Sequence, residues 1–119
     1  MAEVKKVRLS LTGSTIQISQ DPVSIKKDDQ IVFEAGDDNL YTVIIPVPSI
    51  SNLAKDYFNT VKSVLIYDVS IDSAGLTPTA KDVDTPSGGL GYTVIVSTSD
   101  NTYKTPPDVP PKIIINSAA

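Results

Sequence analysis

The amino-acid sequence predicts a single all-β domain, folded as a β-sandwich of about seven to nine short strands. Val and Ile dominate its apolar residues, and their branched Cβ atoms suit a pleated sheet better than a helix. Short runs of alternating apolar and polar residues are separated by Gly, Pro, Asp and Ser, which form turns. No repeat or linker divides the chain. We therefore expect residues 1–119 to fold around one core.

The first part of the chain predicts four short strands and then a longer one. The four short strands are predicted at residues 7–11, 15–19, 23–26 and 31–34. Residues 41–45 are nearly continuous in β-formers, which is typical of a central strand buried on both faces. Pro46 ends this strand because proline cannot donate a ladder hydrogen bond.

The second part predicts one short helix, three strands and two long loops. The helix is expected within residues 51–60, capped by Ser51, with one apolar face that covers an end of the sandwich. That face comprises Leu53, Ala54, Tyr57 and Phe58. Strands are predicted at residues 63–71, 92–96 and 112–116. Turn formers fill residues 72–91 and 97–111, so we expect these loops to be the least protected segments, with at most a short edge strand at 80–83.

Composition excludes several classes of function. The net charge is −4 and Arg8 is the one arginine, which argues against nucleic acid because phosphate binding needs clustered basic residues. The chain has no Cys and no His, so it lacks thiolate chemistry, the commonest transition-metal ligands and the usual general base. No stretch approaches the roughly 18 apolar residues of a membrane span, and no hydrophobic signal segment follows Met1.

No catalytic arrangement stands out in the sequence. The glycine-rich run at 87–91 precedes a strand, so it lacks the helix N-terminus that binds phosphate. Asp82 and Asp84 have a spacing that could serve a hard cation, although solvated loop acids explain them better. We expect no cofactor, no metal site and no catalytic residue. The alternative is a small hydrolase or carbohydrate-active domain that works through two carboxylates.

Three segments resemble parts of cupredoxin-like domains. Residues 25–33 resemble the family's lysine-glycine-aspartate turn between two strands, with Asp28 in place of the usual glycine. Residues 39–43 resemble the segment that carries the first copper-binding His. Residues 91–96 resemble the strand that runs up to the copper-binding Cys, before a last strand like residues 112–115. The resemblance implies a Greek-key sandwich, and an immunoglobulin-like sandwich is the alternative.

The sequence departs from that family at the copper ligands. Tyr41 stands at the first His position and Val96 at the apparent Cys position, and residues 97–111 hold no His and no Met. A blue-copper site needs imidazole and thiolate ligands. The resemblance therefore implies a metal-free binding or structural module without copper electron transfer. Because metal-free members of such folds often lie outside the cytoplasm, it also favours a periplasmic or extracellular location.

The resemblance also indicates where a partner would bind. If the family's strand order holds, residues 36–41 and 97–111 gather at the end where copper would lie. That end would carry five candidate binding residues: Asp37, Asp38, Tyr41, Asp100 and Tyr103. Aromatic faces rimmed by acids suit another protein or a polar small ligand. The alternatives are that Tyr41 fills the vacated site with its ring and that Tyr103 packs beneath its loop.

Overall fold

The fold was analysed in a computed structural model that describes residues 2–46 and 53–116. This part of the chain forms eleven strands and one short helix. In chain order they are β1 Val4–Thr12, β2 Thr15–Ile18, β3 Val23–Lys26, β4 Gln30–Ala35, β5 Leu40–Ile45, α1 Leu53–Tyr57, β6 Leu65–Val69, β7 Gly75–Leu76, β8 Leu90–Gly91, β9 Thr93–Ser97, β10 Thr102–Lys104 and β11 Lys112–Asn116. Within those described ranges, no helix has the length and apolar character needed to cross a membrane.

The strands form three sheets, and the predicted all-β sandwich is confirmed. Sheet 1 has the order β2-β1-β4-β7, sheet 2 has the order β10-β9-β5-β6, and sheet 3 has the order β3-β11-β8. Neighbouring strands are antiparallel except for β1 with β4 and β3 with β11. The eleven strands exceed the predicted seven to nine because β7 and β8, with two residues each, are too short to be recognised in the sequence.

The core is built from alternate residues of the strands, as the pleat requires. Tyr41, Val43 and Ile45 of β5 are buried, whereas Thr42 and Ile44 between them are only half-buried. The expectation that this strand is buried on both faces is therefore wrong for its outer face. β5 is central, between β9 and β6, and its outer residues Thr42 and Ile44 keep partial exposure to solvent.

The turn between β3 and β4 is fixed by two aspartates. Asp28 has φ of 73°, in the left-handed region that favours glycine. Asp29 is buried, and its carboxylate accepts the N–H of Glu3 at 2.9 Å and the N–H of Lys26 at 3.0 Å. These bonds join the start of β1 to the end of β3, so both acids have a structural role.

The short helix forms inside the predicted range. α1 ends at Tyr57, and Ser51, the predicted cap, lies outside the described residues. Ala54 and Phe58 are buried, and Phe58 forms an isolated bridge with Ala80. That bridge replaces the edge strand expected at residues 80–83.

Both predicted loops contain paired strands, so their assignment as plain loops is wrong. Within residues 72–91, β7 pairs with β4 and β8 pairs with β11. Within residues 97–111, β10 pairs with β9. Thr105 follows β10 and is buried; its N–H donates to the Val94 carbonyl, and its hydroxyl accepts the Val94 N–H at 3.1 Å. Strands of two or three residues are too short to show an alternating pattern.

Candidate functional site

Of the two segments predicted to gather at one end, residues 36–41 meet only the first part of residues 97–111, because Pro107 and Pro110 line a groove with Pro46, which follows the other end of β5. Leu40 pairs with Ser97, and Tyr41 pairs with Val96, across β5 and β9. Val96 also pairs with Tyr103 across β9 and β10. Because paired residues of antiparallel strands point to the same face, the side chains of Tyr41, Val96 and Tyr103 share the inner face of the sheet. We call this the β5 end of the sandwich: the β4–β5 loop, the β9–β10 turn and the adjoining ends of these strands.

Tyr41 and Asp37 close the β5 end from within. Tyr41 is wholly buried, and its hydroxyl donates to the two carboxylate oxygens of Asp37 at 2.8 and 2.9 Å. Asp37 Oδ2 also accepts the N–H of Leu11 at 2.8 Å, and Oδ1 accepts the N–H of Asn39 at 3.1 Å. Both oxygens are therefore engaged by donors of the same chain. This geometry favours the alternative in which the ring of Tyr41 fills the vacated site and Tyr41 is a packing residue.

The electrostatics of this pair are those of a fixed structural contact. Burial alone would raise the pKa of Asp37, but the hydrogen bonds from Leu11, Tyr41 and Asn39 outweigh burial and lower that pKa below its ordinary value. Burial raises the pKa of the Tyr41 hydroxyl, and its bond to Asp37 raises it further. At neutral pH, Asp37 is the charged acceptor and Tyr41 the neutral donor. Neither group is suited to proton transfer near neutral pH.

The other three predicted binding residues lie at the same end. Asp38 and Asp100 are exposed, the first in the β4–β5 loop and the second between β9 and β10. Tyr103, expected on an exposed proline-rich loop, instead belongs to β10, is half-buried and packs against the core. Its hydroxyl accepts a bond from the Asn101 side chain at 3.3 Å. Binding at the β5 end stays a prediction, with the two exposed acids as its accessible part.

A polar cleft of about 370 Å³ lies near this end. Its lining combines Arg8 in the middle of β1 and Glu34 near the end of β4 with the β6–β7 loop, which includes Asp72. Arg8 Nη2 lies 3.6 Å from Glu34 Oε1. No sequence pattern indicates this pair of carboxylates, because Glu34 and Asp72 are far apart in the chain and only the fold brings them to one cleft.

Within residues 2–46 and 53–116, no group of three or more His, Cys, Asp or Glu side chains could hold a metal ion. Asp82 and Asp84, the spaced acids of the sequence analysis, are both exposed.

The outer face of sheet 2 is the feature that sequence reasoning missed. Its strand positions are Leu40, Thr42, Ile44, Ile66, Asp68, Thr93, Ile95, Ser97, Thr102 and Lys104. Ile44 pairs with Ile66 across β5 and β6, and Ile95 pairs with Thr42, its neighbour on β5. Ile66 is 60% exposed. Three isoleucines thus form one apolar area on three adjacent strands.

An apolar groove of about 310 Å³ adjoins that face. Thr93 belongs to both, because it lies on the outer face of β9 and also lines the groove. The remaining lining is mostly apolar and consists of Pro46, Leu53, Leu90, Gly91, Tyr92, Pro107 and Pro110. The apolar surface therefore extends past the sheet toward the proline-rich segment.

Compared with known proteins, the chain matches no family model, no curated protein and no solved structure.

Proposed function

We propose that this chain is a non-enzymatic binding or structural module built on a metal-free, cupredoxin-like sandwich. The observation that carries the proposal is the outer face of sheet 2. Exposed faces of antiparallel sheets are commonly polar, whereas this one has Ile66, which is 60% exposed, beside the half-buried Ile44, with half-buried Ile95 diagonal to it on the next strand. Apolar side chains grouped on a surface mark interaction sites in soluble proteins.

The outer face of sheet 1 provides the comparison within the same molecule. It also has apolar residues, since Leu76 of β7 pairs with Val32 of β4. Lys6 pairs with Val32 on the other side, and Arg8 pairs with Glu34, so charges are interspersed among them. That mixture is typical of a solvated face. The two faces therefore differ in where their charges lie, since Lys6, Arg8 and Glu34 stand on the central strands of sheet 1 whereas the charges of sheet 2 lie on its edge strands.

Two observations support the cupredoxin-like assignment. Asp28 has the left-handed conformation that favours glycine, at the turn where the family usually has glycine. Tyr41 and Val96, which occupy the His and Cys positions of the resemblance, are direct partners on adjacent strands. This adjacency supports the assignment, and the side chains at both positions lack the imidazole and thiolate that bind copper. A module with this frame would function through its surface.

One observation favours the alternative of a carboxylate-dependent hydrolase. Glu34 and Asp72 line one cleft, together with Arg8. Two acids on one cleft are the minimum for glycoside hydrolysis. We favour the binding module because Glu34 already faces the guanidinium of Arg8, while the apolar face of sheet 2 has no catalytic explanation.

The test is an assay of the purified chain on a panel of nitrophenyl glycosides and esters. The variants are Glu34→Gln and Asp72→Asn, with Glu3→Gln as a control because Glu3 lies at the start of the chain and does not line the cleft. We expect that neither the natural chain nor any variant raises the rate of hydrolysis above that in buffer alone. Turnover by the natural chain that is lost in either cleft variant but kept in Glu3→Gln would contradict the proposal.

A further inference from the structure

We propose that the outer face of sheet 2 binds the same face of a second copy of this chain, forming a two-fold symmetric dimer. The inference rests on the proposed function, because it names the partner of the surface assigned above. It starts from β5, whose composition is typical of a strand buried on both faces. One face of β5 is buried in the single chain, and a second molecule would cover the other.

The charges on this face specify the partner. Among its strand positions in the described chain, Asp68 and Lys104 are the two charged residues. Lys104 pairs with Ile95, Ile95 pairs with Thr42, and Thr42 pairs with Asp68. The four residues thus form one row across the sheet, with opposite charges at its two ends. At a strand spacing of about 4.8 Å, the charged positions are roughly 14 Å apart.

This row selects one symmetry axis. A two-fold axis parallel to the strands, between β9 and β5, brings Lys104 of one copy opposite Asp68 of the other, and it does so twice. A two-fold axis perpendicular to the strands and along this row would bring like charges together. The arrangement is therefore complementary to itself in one orientation. Charge complementarity of this kind fixes the register of an interface.

The apolar residues fit the same packing. Face-to-face sheets pack about 10 Å apart with strands inclined by about 30°, and their side chains interdigitate. Ile95 and Thr42 lie within the charged row, and Ile44 and Thr93 lie in the next row on the same two central strands. In the dimer Ile44 and Ile95 fill the centre of the layer between the sheets, while Ile66 and the Lys104–Asp68 pairs lie at its rim.

The size of the face indicates a weak dimer. Four strands of about five residues cover roughly 19 by 17 Å. Stable interfaces bury about 800 Å² on each partner, whereas this face alone covers roughly 320 Å² and lies below that range. We expect association in the micromolar range, visible as a dependence on protein concentration.

The experiment is sedimentation velocity of the full chain from about 5 to 500 μM. We expect the natural chain to shift from monomer to dimer across this range. Ile95→Glu should remain monomeric, because it introduces a charge next to the two-fold axis in the centre of the apolar layer. Leu76→Glu is the control, since Leu76 is 51% exposed on the outer face of sheet 1. Loss of the dimer in Leu76→Glu but not in Ile95→Glu would overturn the proposal.

The charged pair gives a test that does not depend on an apolar-to-charged change. Lys104→Glu and Asp68→Lys should each weaken the dimer about 10-fold, because each brings like charges together at two symmetric places. The double variant should restore the affinity. Restoration requires contact between molecules, because within one molecule residues 68 and 104 lie on opposite edge strands of sheet 2. Failure of the double variant to restore the dimer would overturn the assigned axis.

The outcome separates this inference from the proposed function. A natural chain that is monomeric at every concentration and fails to hydrolyse the substrate panel overturns the dimer and leaves the binding module with another partner. Hydrolysis that is lost in Glu34→Gln or Asp72→Asn overturns the module, whatever the sedimentation result.

Discussion

At the scale of single residues, the Tyr41–Asp37 contact determines what the β5 end can do. A carboxylate that accepts two backbone N–H bonds and a phenol is fully used in holding the β4–β5 loop against β1 and β5. Its negative charge stabilises the fold, because both carboxylate oxygens accept hydrogen bonds from the same chain. The contribution of the Tyr41–Asp37 contact can therefore be measured as a change in the free energy of unfolding.

The first prediction concerns the Tyr41 hydroxyl. Tyr41→Phe keeps the ring in the core but removes the donor to Asp37, so the free energy of unfolding should fall by about 1–3 kcal/mol at neutral pH. Urea unfolding measures this loss. Tyr103→Phe is the control, because Tyr103 is half-buried and its hydroxyl contacts an exposed Asn101 side chain. An equal loss in both variants would contradict the special role of Tyr41.

The second prediction concerns the pH dependence of stability. The pKa of Asp37 is lowered in the folded chain, so its stabilisation is complete above the ordinary Asp pKa of about 4 and is lost as pH falls through the folded pKa. The natural chain should therefore exceed Asp37→Asn in unfolding free energy near pH 7, with a gap that shrinks below about pH 4. Urea unfolding across this range, with exposed Asp38→Asn as control, checks the expectation. A gap independent of pH would contradict it.

The third prediction follows from the missing copper ligands. With no Cys, no His and Met1 as the one methionine, the chain should show no stoichiometric copper site tighter than about micromolar. Calorimetric titration with Cu(I) and Cu(II), together with visible absorbance, measures this. A tight site with thiolate-like absorbance would be incompatible with the composition.

At the scale of elements, periodicity predicts the strands of four or more residues and misses those of two or three. Residues 7–11, 41–45 and 112–116 have strong β patterns, and each lies in or matches a strand of the structure. β10 has three residues, and its pairing with β9 determines that Tyr103 points inward. A local pattern contains no information about that partner. The sequence therefore leaves packing and binding of Tyr103 as alternatives, and the sheet favours packing.

The outer face of sheet 2 was hidden from sequence reasoning for a related reason. The run from Tyr41 to Ile45 indicates burial on both faces, and the sequence alone cannot distinguish cover by its own chain from cover by a second molecule. Likewise, Asp68 and Lys104 share a row through three successive strand pairings. Each charge taken singly is an ordinary surface residue.

The fourth prediction, at this scale, concerns the protection of backbone amides from hydrogen exchange within the two segments predicted as loops, residues 72–91 and 97–111. Thr105 is buried and bonded to Val94, so its amide should exchange slowly, as should that of Thr77, which bonds to Ile31. Asp108 and Val109 are exposed and should exchange at least about 100-fold faster. Amide exchange followed by NMR resolves each residue. Equal rates at Thr105 and Val109 would mean that the β10 region does not form as described.

At the scale of the whole molecule, the sandwich has two unlike outer sides. Sheet 1 mixes charges with apolar residues, while sheet 2 has an uncharged centre of isoleucines and threonines with one charge at each edge. The buried inner layer explains why the chain folds, but it does not require this difference. An interface on sheet 2 would explain it.

The most direct measurement is NMR of isoleucine methyl groups as a function of protein concentration. The methyl signals of Ile44, Ile66 and Ile95 should shift together on dilution, because dilution exposes them to water. Ile71 is the internal reference: it is 65% exposed, lies outside the strands of sheet 2, and should not shift. Constant signals from all three isoleucines, or shifts at Ile71 instead, would contradict the claim that sheet 2 is the interaction surface.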